Sequence, residues 1–408
     1  MSEIKYWMWL ACLTNLRPRA KIEALEHFSG VEELFFATEE ELNKVPGLRQ
    51  TDVKYLCDKS MDHAMSALDV CRRKDIRIIA WGDSGYPRRL SHIYDPPAVL
   101  FVAGKLPAID EECAIAVVGT RKCTPYGAKM SRRIGMDIAR GGGLVVSGLA
   151  EGIDSAAAEG ALFAGGSCIG VVGSPIDEVY PRSNIALHRD VCAHGAIISE
   201  FPPGTKYNRS HYPQRNRLLS GLSLGTVIIE APERSGALIT AEHAMDQGRD
   251  LFAVPGNADA DSCAGSNALL RDCAKLTMCG WDILCEYEGL FPHKLHKPDE
   301  RAKADFVAPR SEKTPLKTEK PAQSVKKDID KEKDMEYIDL EDQLSSLTEK
   351  QLLIVSAIEG ESYADTIIEK TKLTAAEVMG ELTMLQIMGY VTPTGFDKYK
   401  LNIKTKRG

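Results

Sequence analysis

The chain has 408 residues, of which 44% are hydrophobic, so length and composition predict two to three globular domains with sizeable cores. Its formal net charge of -7 argues against a protein that binds nucleic acid through an overall basic excess. It contains no apolar stretch near the ~20 residues that a membrane-spanning helix requires.

The cysteines and histidines do not indicate a metal centre. The 11 cysteines are scattered without a C-x-x-C pair, and the nine histidines show no H-E-x-x-H pattern. We therefore predict reduced thiols, no metal site and no cofactor. The N-terminus lacks the basic and apolar regions of a secretory signal, which predicts a cytoplasmic protein without membrane contact.

Residues 1–70 predict a small all-helical domain. It resembles a helix-hairpin-helix or sterile-alpha-motif-like module, with a tight turn at Pro46 and Gly47. Arg49 stands where the DNA-gripping hairpin usually has a second glycine, which favours a structural or interaction role. Residues 71–110 alternate short apolar runs with turn residues and predict a strand-rich extension of the next domain.

Residues 111–292 predict a Rossmann-like α/β core with a doubly wound, mostly parallel sheet. Short continuous apolar runs, typical of strands buried on both faces, alternate here with helical patterns. The predicted strands are 114–118, 144–147, 168–172, 196–199, 226–230 and 251–254. Thr124 followed by Pro125 predicts a helix start, and the glycines at 141–143 predict its end.

The C-terminal part changes character twice. Residues 293–345 predict a flexible linker, because 301–340 holds ten Lys or Arg and nine Asp or Glu with few aromatics. Residues 346–408 predict a winged-helix-like domain with three capping-box starts, at Thr348, Ser362 and Thr374, and a hairpin over 390–401. The predicted third helix has no Lys or Arg, which favours protein contact or self-association over DNA binding.

Glycine turns follow four of the predicted strands. In an open parallel sheet, such turns bring backbone N–H groups and helix N-termini to one edge, where they can bind anions. The turns hold Gly119, Ser147 with Gly148, Gly173, and Ser235 with Gly236. The sequence therefore predicts a phosphate-binding edge.

Basic residues are concentrated beside these turns. Residues 114–136 and 201–229 together carry nine Lys or Arg and no acid, which can focus a positive field within an acidic domain. Lys129, Arg132 and Arg133 have the spacing of a solvated helix face. Arg121, Arg215 and Arg217 are instead placed at turns, where their planar guanidinium groups suit phosphate.

Several nucleotide-binding and catalytic patterns are absent. The first turn lacks G-x-G-x-x-G, and no G-x-x-x-x-G-K-[ST] occurs, so neither a dinucleotide cofactor nor a P-loop is predicted. Residues 221–225 match G-x-S-x-G, but they lie at a predicted helix end before a strand, so we interpret them as a helix terminator. Asp154, Asp177 and Glu200 are interpreted as residues that cap helices and orient arginines rather than as acid-base catalysts.

Five ordered segments resemble the bacterial DNA-processing protein A family, also called Smf. They are GTR at 119–121, SGLAEGID at 147–154, SEFPPG at 199–204, YPQRNRLLSGL at 212–222 and SGALITA at 235–241. Thr120 and Ala237 differ from the residues that the family more often has. The resemblance implies a non-enzymatic mediator that binds and protects incoming single-stranded DNA, forms a homodimer, and helps to load RecA recombinase in natural transformation.

The resemblance also implies which residues contact the strand. They are Gly119, Arg121, Ser147, Gly148, Arg215, Asn216, Arg217, Ser235 and Gly236, and the predicted DNA-binding set is completed by Gly173 and Lys206. These groups suit backbone contact without sequence readout. Aromatics near the site are few (Tyr126, Tyr180, Tyr207 and Tyr212), so stacking is expected to be secondary.

A second function remains open at this stage. Nucleotide phosphoribohydrolases of the cytokinin-activating LOG type share a Rossmann-like fold with a glycine-rich turn that opens a late helix. They usually carry P-G-G-x-G-T-x-x-E, which residues 235–242 resemble only loosely. A comparison of single-stranded with double-stranded DNA binding separates this alternative from a DNA-binding mediator.

Overall fold

The computed structural model describes residues 3–298, 348–358, 361–387, 390–395 and 398–401. The chain divides into two compact units, Met1–Pro309 and Arg310–Gly408. Most of the predicted linker, residues 299–345, lies outside the described residues. The predicted boundaries at residues 70, 110, 292 and 345 stay predictions.

Helices alone build the N-terminal part of the first unit. They are α1 (Ile4–Cys12), α2 (Pro18–His27), α3 (Val31–Phe36), α4 (Glu39–Leu42), α5 (Gln50–Leu56) and α6 (Asp62–Arg73). Trp9 is buried at their centre, and its indole N–H donates to the Asp58 carbonyl at 2.6 Å. Thr38 caps α4 in a capping box with Glu41, which satisfies two backbone donors at that helix start.

One nine-stranded sheet forms the rest of this unit. Its strands are β1 (Arg77–Ala80), β2 (Val99–Gly104), β3 (Ala114–Val118), β4 (Leu144–Ser147), β5 (Cys168–Val172), β6 (Ala196–Ser199), β7 (Gly225–Ile228), β8 (Asp250–Ala253) and β9 (Lys275–Leu276). Their order is β1-β2-β6-β5-β4-β3-β7-β8-β9. In this spatial order, all seven strands from β6 through β3 to β9 pair in parallel. The strand β2 pairs antiparallel with both β1 and β6.

Helices cover both faces of the sheet. They are α7 (Arg88–Ser91), α8 (Pro125–Arg140), α9 (Ile153–Phe163), α10 (Ile185–His194), α11 (His211–Leu222), α12 (Gly236–Asp246), α13 (Ala264–Asp272) and α14 (Gly280–Leu284). Alternate residues of β3 face opposite layers: Ala116 packs in one cluster with Leu218 of α11, and Val117 packs in the other with Ile134 of α8. This confirms the predicted Rossmann-like, doubly wound, mostly parallel sheet.

The chain reverses its direction across the sheet at β3. From β3 it winds through β4 and β5 to β6 on one side, and it then returns to form β7 and β8 on the other. The boundary between β3 and β7 is therefore the topological switch point, where open α/β sheets bind ligands beyond the carboxyl ends of their strands.

Local sequence signals set the elements that meet at this boundary. The Thr124 hydroxyl accepts the Gly127 N–H at 3.1 Å, and Pro125 begins α8, as predicted. The helix α11 ends at Leu222 and β7 begins at Gly225, which confirms that the G-x-S-x-G match terminates a helix.

The second unit contains three helices and a small antiparallel sheet. The helices are α15 (Glu349–Ala357), α16 (Ala364–Thr371) and α17 (Ala375–Ile387), and the strands are β10 (Glu361–Tyr363), β11 (Val391–Gly395) and β12 (Lys398–Leu401). Thr348 and Gln351 form the predicted capping box. The start predicted at Ser362 is wrong, because Ser362 pairs with Tyr399 in the sheet and α16 begins at Ala364. In the described part of the chain, no helix is long and apolar enough to cross a bilayer.

Candidate nucleic-acid interface

A cavity of about 590 Å³, called here the first cavity, opens at the switch point of the large sheet. The turn after β3, the start of α11 and the start of α12 form its walls. Six of the predicted site residues line it: Gly119, Arg121, Arg215, Asn216, Ser235 and Gly236. Gly148 and Gly173 line a smaller adjoining pocket of about 60 Å³ that shares Arg121 and Arg215.

Guanidinium groups dominate the charge of the first cavity. Arg121, Arg209 and Arg234 are exposed, Arg215 is buried, and Asp154 is the acidic residue among the lining residues. Four cationic side chains against one carboxylate in a concave site concentrate positive potential there, although the whole chain is acidic. This arrangement favours a polyanionic ligand.

Arg215 and Asp154 form the buried floor of the site. Burial raises the pKa of Asp154 to about 6, and the nearby Arg215 charge partly offsets that effect. Burial likewise lowers the pKa of Arg215 to about 10. Arg215 Nη1 donates to the Val171 carbonyl at the end of β5, which fixes its orientation. Among the described residues, no acceptor meets its Nε.

Close backbone packing explains two of the glycines. A Cβ atom at Gly119 would lie 2.6 Å from the Ile153 side chain and 2.9 Å from the Glu230 carbonyl. A Cβ atom at Gly148 would collide with Arg215 and Asp154. The next residue, Leu149, has a φ of 51°, a left-handed conformation that is costly for a branched side chain. The Asp154 carboxylate accepts the Gly148 N–H at 3.1 Å and helps to hold this turn.

Three tyrosines border the same cavity. The Tyr180, Tyr207 and Tyr212 ring centroids are 5.7 to 6.1 Å apart, and Tyr180 and Tyr207 are 42% and 53% exposed. The Arg121 guanidinium lies 5.2 Å from the Tyr212 ring centroid, within cation–π range. Exposed rings at this spacing offer flat apolar surface beside the cations, and three of the four tyrosines named from the sequence line the cavity.

The N-terminus of α12 closes the opposite wall. The Ser235 hydroxyl accepts the Ala237 N–H at 3.2 Å, and the Asn216 side chain donates to the Gly236 carbonyl at 3.2 Å. A Cβ atom at Gly236 would meet no described atom within 4 Å, so steric crowding does not require glycine there. The backbone at Gly236 is therefore open to a ligand, and Asn216 ties it to α11.

The structure contradicts the predicted phosphate contact of Arg217. Arg217, like Arg215, lies inside α11 rather than at the predicted turn, and its side chain is 2% exposed. It donates to both carboxylate oxygens of Glu200 at 2.8 Å and lies 3.1 Å from an Asp95 oxygen. Arg217 therefore positions α11 from behind the site, since Glu200 directly follows β6.

Two further predicted residues lie away from the cavity surface. The Ser147 hydroxyl is buried and donates to the Val117 and Asp154 carbonyls, so it orients Asp154 instead of facing a ligand. Lys206 is exposed but lines neither the first cavity nor its smaller neighbour. It lies in the same loop as Tyr207, and the His63 ring contacts the Pro203 carbonyl of that loop at 3.3 Å.

Sequence reasoning missed Arg209 and Arg234 as site residues. Arg209 belongs to the acid-free basic stretch 201–229, and this stretch is the one feature of the sequence that indicates a role for it. Arg234 has acidic Glu233 beside it, and its position follows from the loop between β7 and α12. Among the described residues, no group of three or more His, Cys, Asp or Glu side chains is placed to bind a metal ion.

Comparisons with known proteins identify the family of the chain. The family model described as DNA recombination-mediator protein A matches residues 77–288, which include the whole large sheet. The chain is similar to the DNA processing protein DprA of Bacillus subtilis, with 40% identity over 215 residues, which are 53% of this chain and 72% of that relative. It is also 41% identical over 208 residues to DprA of Streptococcus pneumoniae, covering 50% of this chain and 72% of the relative.

A solved structure gives the same result. The X-ray structure of DprA from Streptococcus pneumoniae is similar with a TM-score of 0.61 and 32% sequence identity, and the match covers 70% of this chain and 99% of that one. The matched family model covers the turns and helices that form the first cavity. The chain therefore belongs to the DNA recombination-mediator protein A family and has a recombination-mediator role in DNA processing.

Proposed function

We propose that the first cavity binds the backbone of single-stranded DNA without reading its base sequence. The observation that carries this proposal is the set of four arginines against one carboxylate at the switch point. Guanidinium groups donate to phosphate oxygens in a planar, bidentate geometry, and binding releases counterions from the strand. The N-terminus of α12 adds backbone N–H groups to the same surface.

The tyrosines support a preference for single strands. Bases stack on aromatic rings at about 1–3 kcal/mol each, and every base has the π face that this requires. In a duplex the bases are already stacked and paired, so they cannot reach the exposed Tyr180 and Tyr207 rings. Phosphate contacts alone would bind single-stranded and double-stranded DNA alike. Stacking on the tyrosine rings adds affinity for the single strand only.

Family membership supports the finer parts of the proposal. We infer that the chain acts without catalysing a reaction, in the cytoplasm, as a homodimer that protects incoming strands during natural transformation and passes them to RecA recombinase. A mediator of this kind needs a site that holds DNA without committing to a sequence. Backbone contacts by arginine meet that need, because they carry no base information.

Fluorescence anisotropy with one labelled oligonucleotide, single-stranded or annealed, tests the binding proposal. We expect the single strand to bind at least about tenfold more tightly, which corresponds to about 1.4 kcal/mol. Arg209→Ala and Arg234→Ala should each weaken single-strand binding, whereas Lys129→Ala, on the exposed face of α8, should have a smaller effect. Equal affinity for both DNA forms would contradict the proposal.

Three further assays test the absence of catalysis, the RecA partnership and the homodimer. Purified chain should release no base from nucleoside monophosphates, and such release would instead favour the phosphoribohydrolase alternative. RecA filaments should form faster on strands coated with single-strand-binding protein when the chain is added, and sedimentation should give twice the 44.8 kDa chain mass. An unchanged filament rate would refute the RecA step while leaving the DNA-binding step intact.

A further inference from the structure

A second cavity, of about 360 Å³, lies on the side of the large sheet where β8 begins, opposite the carboxyl ends of the strands. The first cavity lies beyond the carboxyl ends of β3 and β7, whereas Arg249, which lines the second, directly precedes β8. The helix α11 connects the two edges: Asn216 lines the first cavity, and Gly221, near the other end, accepts a hydrogen bond from Arg249 at 3.3 Å. Its 12 residues span about 18 Å.

The second cavity is also rich in cations. Arg88, Arg89, His92 and Arg249 line it together with one acid, Asp110. Asp110 is already engaged, because its two oxygens accept the Arg88 and Arg89 backbone N–H groups at 2.7 and 3.1 Å. Its carboxylate lies 3.9 Å from each of the two neighbouring guanidinium groups, so it neutralises the cluster only in part.

Backbone carbonyls hold two of these arginines in place. Arg89 Nη2 donates to the Asp110 and Glu112 carbonyls at 3.1 and 2.8 Å. Arg249 Nη2 donates to the Arg89 carbonyl at 3.1 Å as well as to Gly221. The guanidinium groups are thus oriented before any ligand arrives, which lowers the entropy cost of binding.

These arginines also have donors left over. Arg89 Nη1 and Arg249 Nε are buried and meet no acceptor among the described residues, and the Gln247 side-chain oxygen beside them meets no donor. Burial lowers the pKa of both guanidinium groups, and the charge of Arg249 adds to that effect at Arg89. Buried donors without acceptors are costly, and an oxyanion between the two arginines would satisfy them.

We propose that the second cavity binds a phosphate group, held between Arg89 and Arg249. The Gln247 side-chain oxygen would accept a hydrogen bond from a hydroxyl group of the ligand. The phosphate belongs either to a free phosphate compound or to the backbone of a strand that continues from the first cavity. Phosphate binding in the second cavity does not depend on DNA binding in the first, because the two share no lining residue, whereas the DNA backbone as its source rests on the proposed function.

Titration of the full chain, labelled with ¹⁵N at arginine, tests the site directly. Inorganic phosphate should shift the Arg249 Nε–H signal saturably, and Arg249→Lys identifies that signal by removing it. In Arg89→Gln the phosphate affinity should fall about tenfold, because the charge-assisted contact from Arg89 Nη1 is lost. Arg88→Gln is the matched control: it removes the same charge one residue away, from a side chain that is 84% exposed against 11% for Arg89, and should cost twofold or less.

Oligonucleotides of about 6 and about 30 nucleotides separate the two phosphate sources. If the ligand is the DNA backbone, Arg89→Gln should lower the affinity for the long oligonucleotide only. If the ligand is a free phosphate compound, the affinity for both oligonucleotides should stay unchanged. Arg89→Lys keeps the charge and serves if Arg89→Gln does not fold. An unshifted Arg249 signal, equal phosphate affinities in Arg88→Gln and Arg89→Gln, or equal weakening of both strand lengths would overturn the proposal.

Discussion

Replacing Arg217 with methionine should destabilise the first unit without removing a phosphate contact. The guanidinium is 2% exposed and donates twice to Glu200, a residue that is itself 9% exposed. Arg217→Met would leave that carboxylate buried and unpaired, and breaking one partner of such a pair costs about 3–5 kcal/mol. Asp95 adds less, because its side chain is 31% exposed and can be hydrated.

Urea unfolding monitored by tryptophan fluorescence measures this loss. All four tryptophans, Trp7, Trp9, Trp81 and Trp281, lie in the first unit, so the signal does not report the second. The double variant Arg217→Met/Glu200→Leu should recover part of the stability, because the unpaired charge is then gone. A loss below about 1 kcal/mol for Arg217→Met, or a weaker salt dependence of DNA binding, would refute the structural role.

Three other predictions follow from the site and the unit boundary. Tyr207→Ala should weaken single-strand binding by about 1–3 kcal/mol, measured by anisotropy, while Tyr55→Ala outside the cavity should not. Burial raises the pKa of Asp154 to about 6, so between about pH 4 and 6 the folded chain keeps a proton on Asp154 that the unfolded chain loses. Protonated Asp154 therefore stabilises the fold fully below about pH 4, and this stabilisation is lost as the pH rises through about 6. Asp154→Asn should therefore remove a decline of about 1.4 kcal/mol per pH unit, seen in urea unfolding across that window. Removing residues 310–408, the second unit, should change single-strand affinity by less than about tenfold, and a larger loss would assign DNA contacts to that unit.

Sequence patterns located the sheet closely because continuous apolar runs have few alternatives. The predicted runs 114–118, 144–147, 168–172 and 196–199 coincide with β3 to β6, and the last two predicted runs differ from β7 and β8 by one or two residues. Glycine turns and the cap at Thr124 follow local rules, so they too can be read from neighbouring residues.

Side-chain pairing across the chain could not be predicted in this way. Arg215 and Arg217 are two residues apart and chemically identical, yet one faces the cavity and the other faces Glu200, 17 residues away. Which face of α11 each occupies depends on how the helix packs against the sheet. The tyrosine cluster likewise combines residues 180, 207 and 212 through tertiary structure, and no spacing rule relates them.

The salt dependence of single-strand binding tests the central claim most directly. Each lost phosphate contact should reduce the slope of log K against log salt by about 0.7. Arg121→Ala should show that reduction, whereas Lys129→Ala and Arg132→Ala, on α8 outside the first cavity, should leave the slope nearly unchanged. If the three variants change the slope equally, or if Arg121→Ala leaves it unchanged, the first cavity is not the phosphate-binding site.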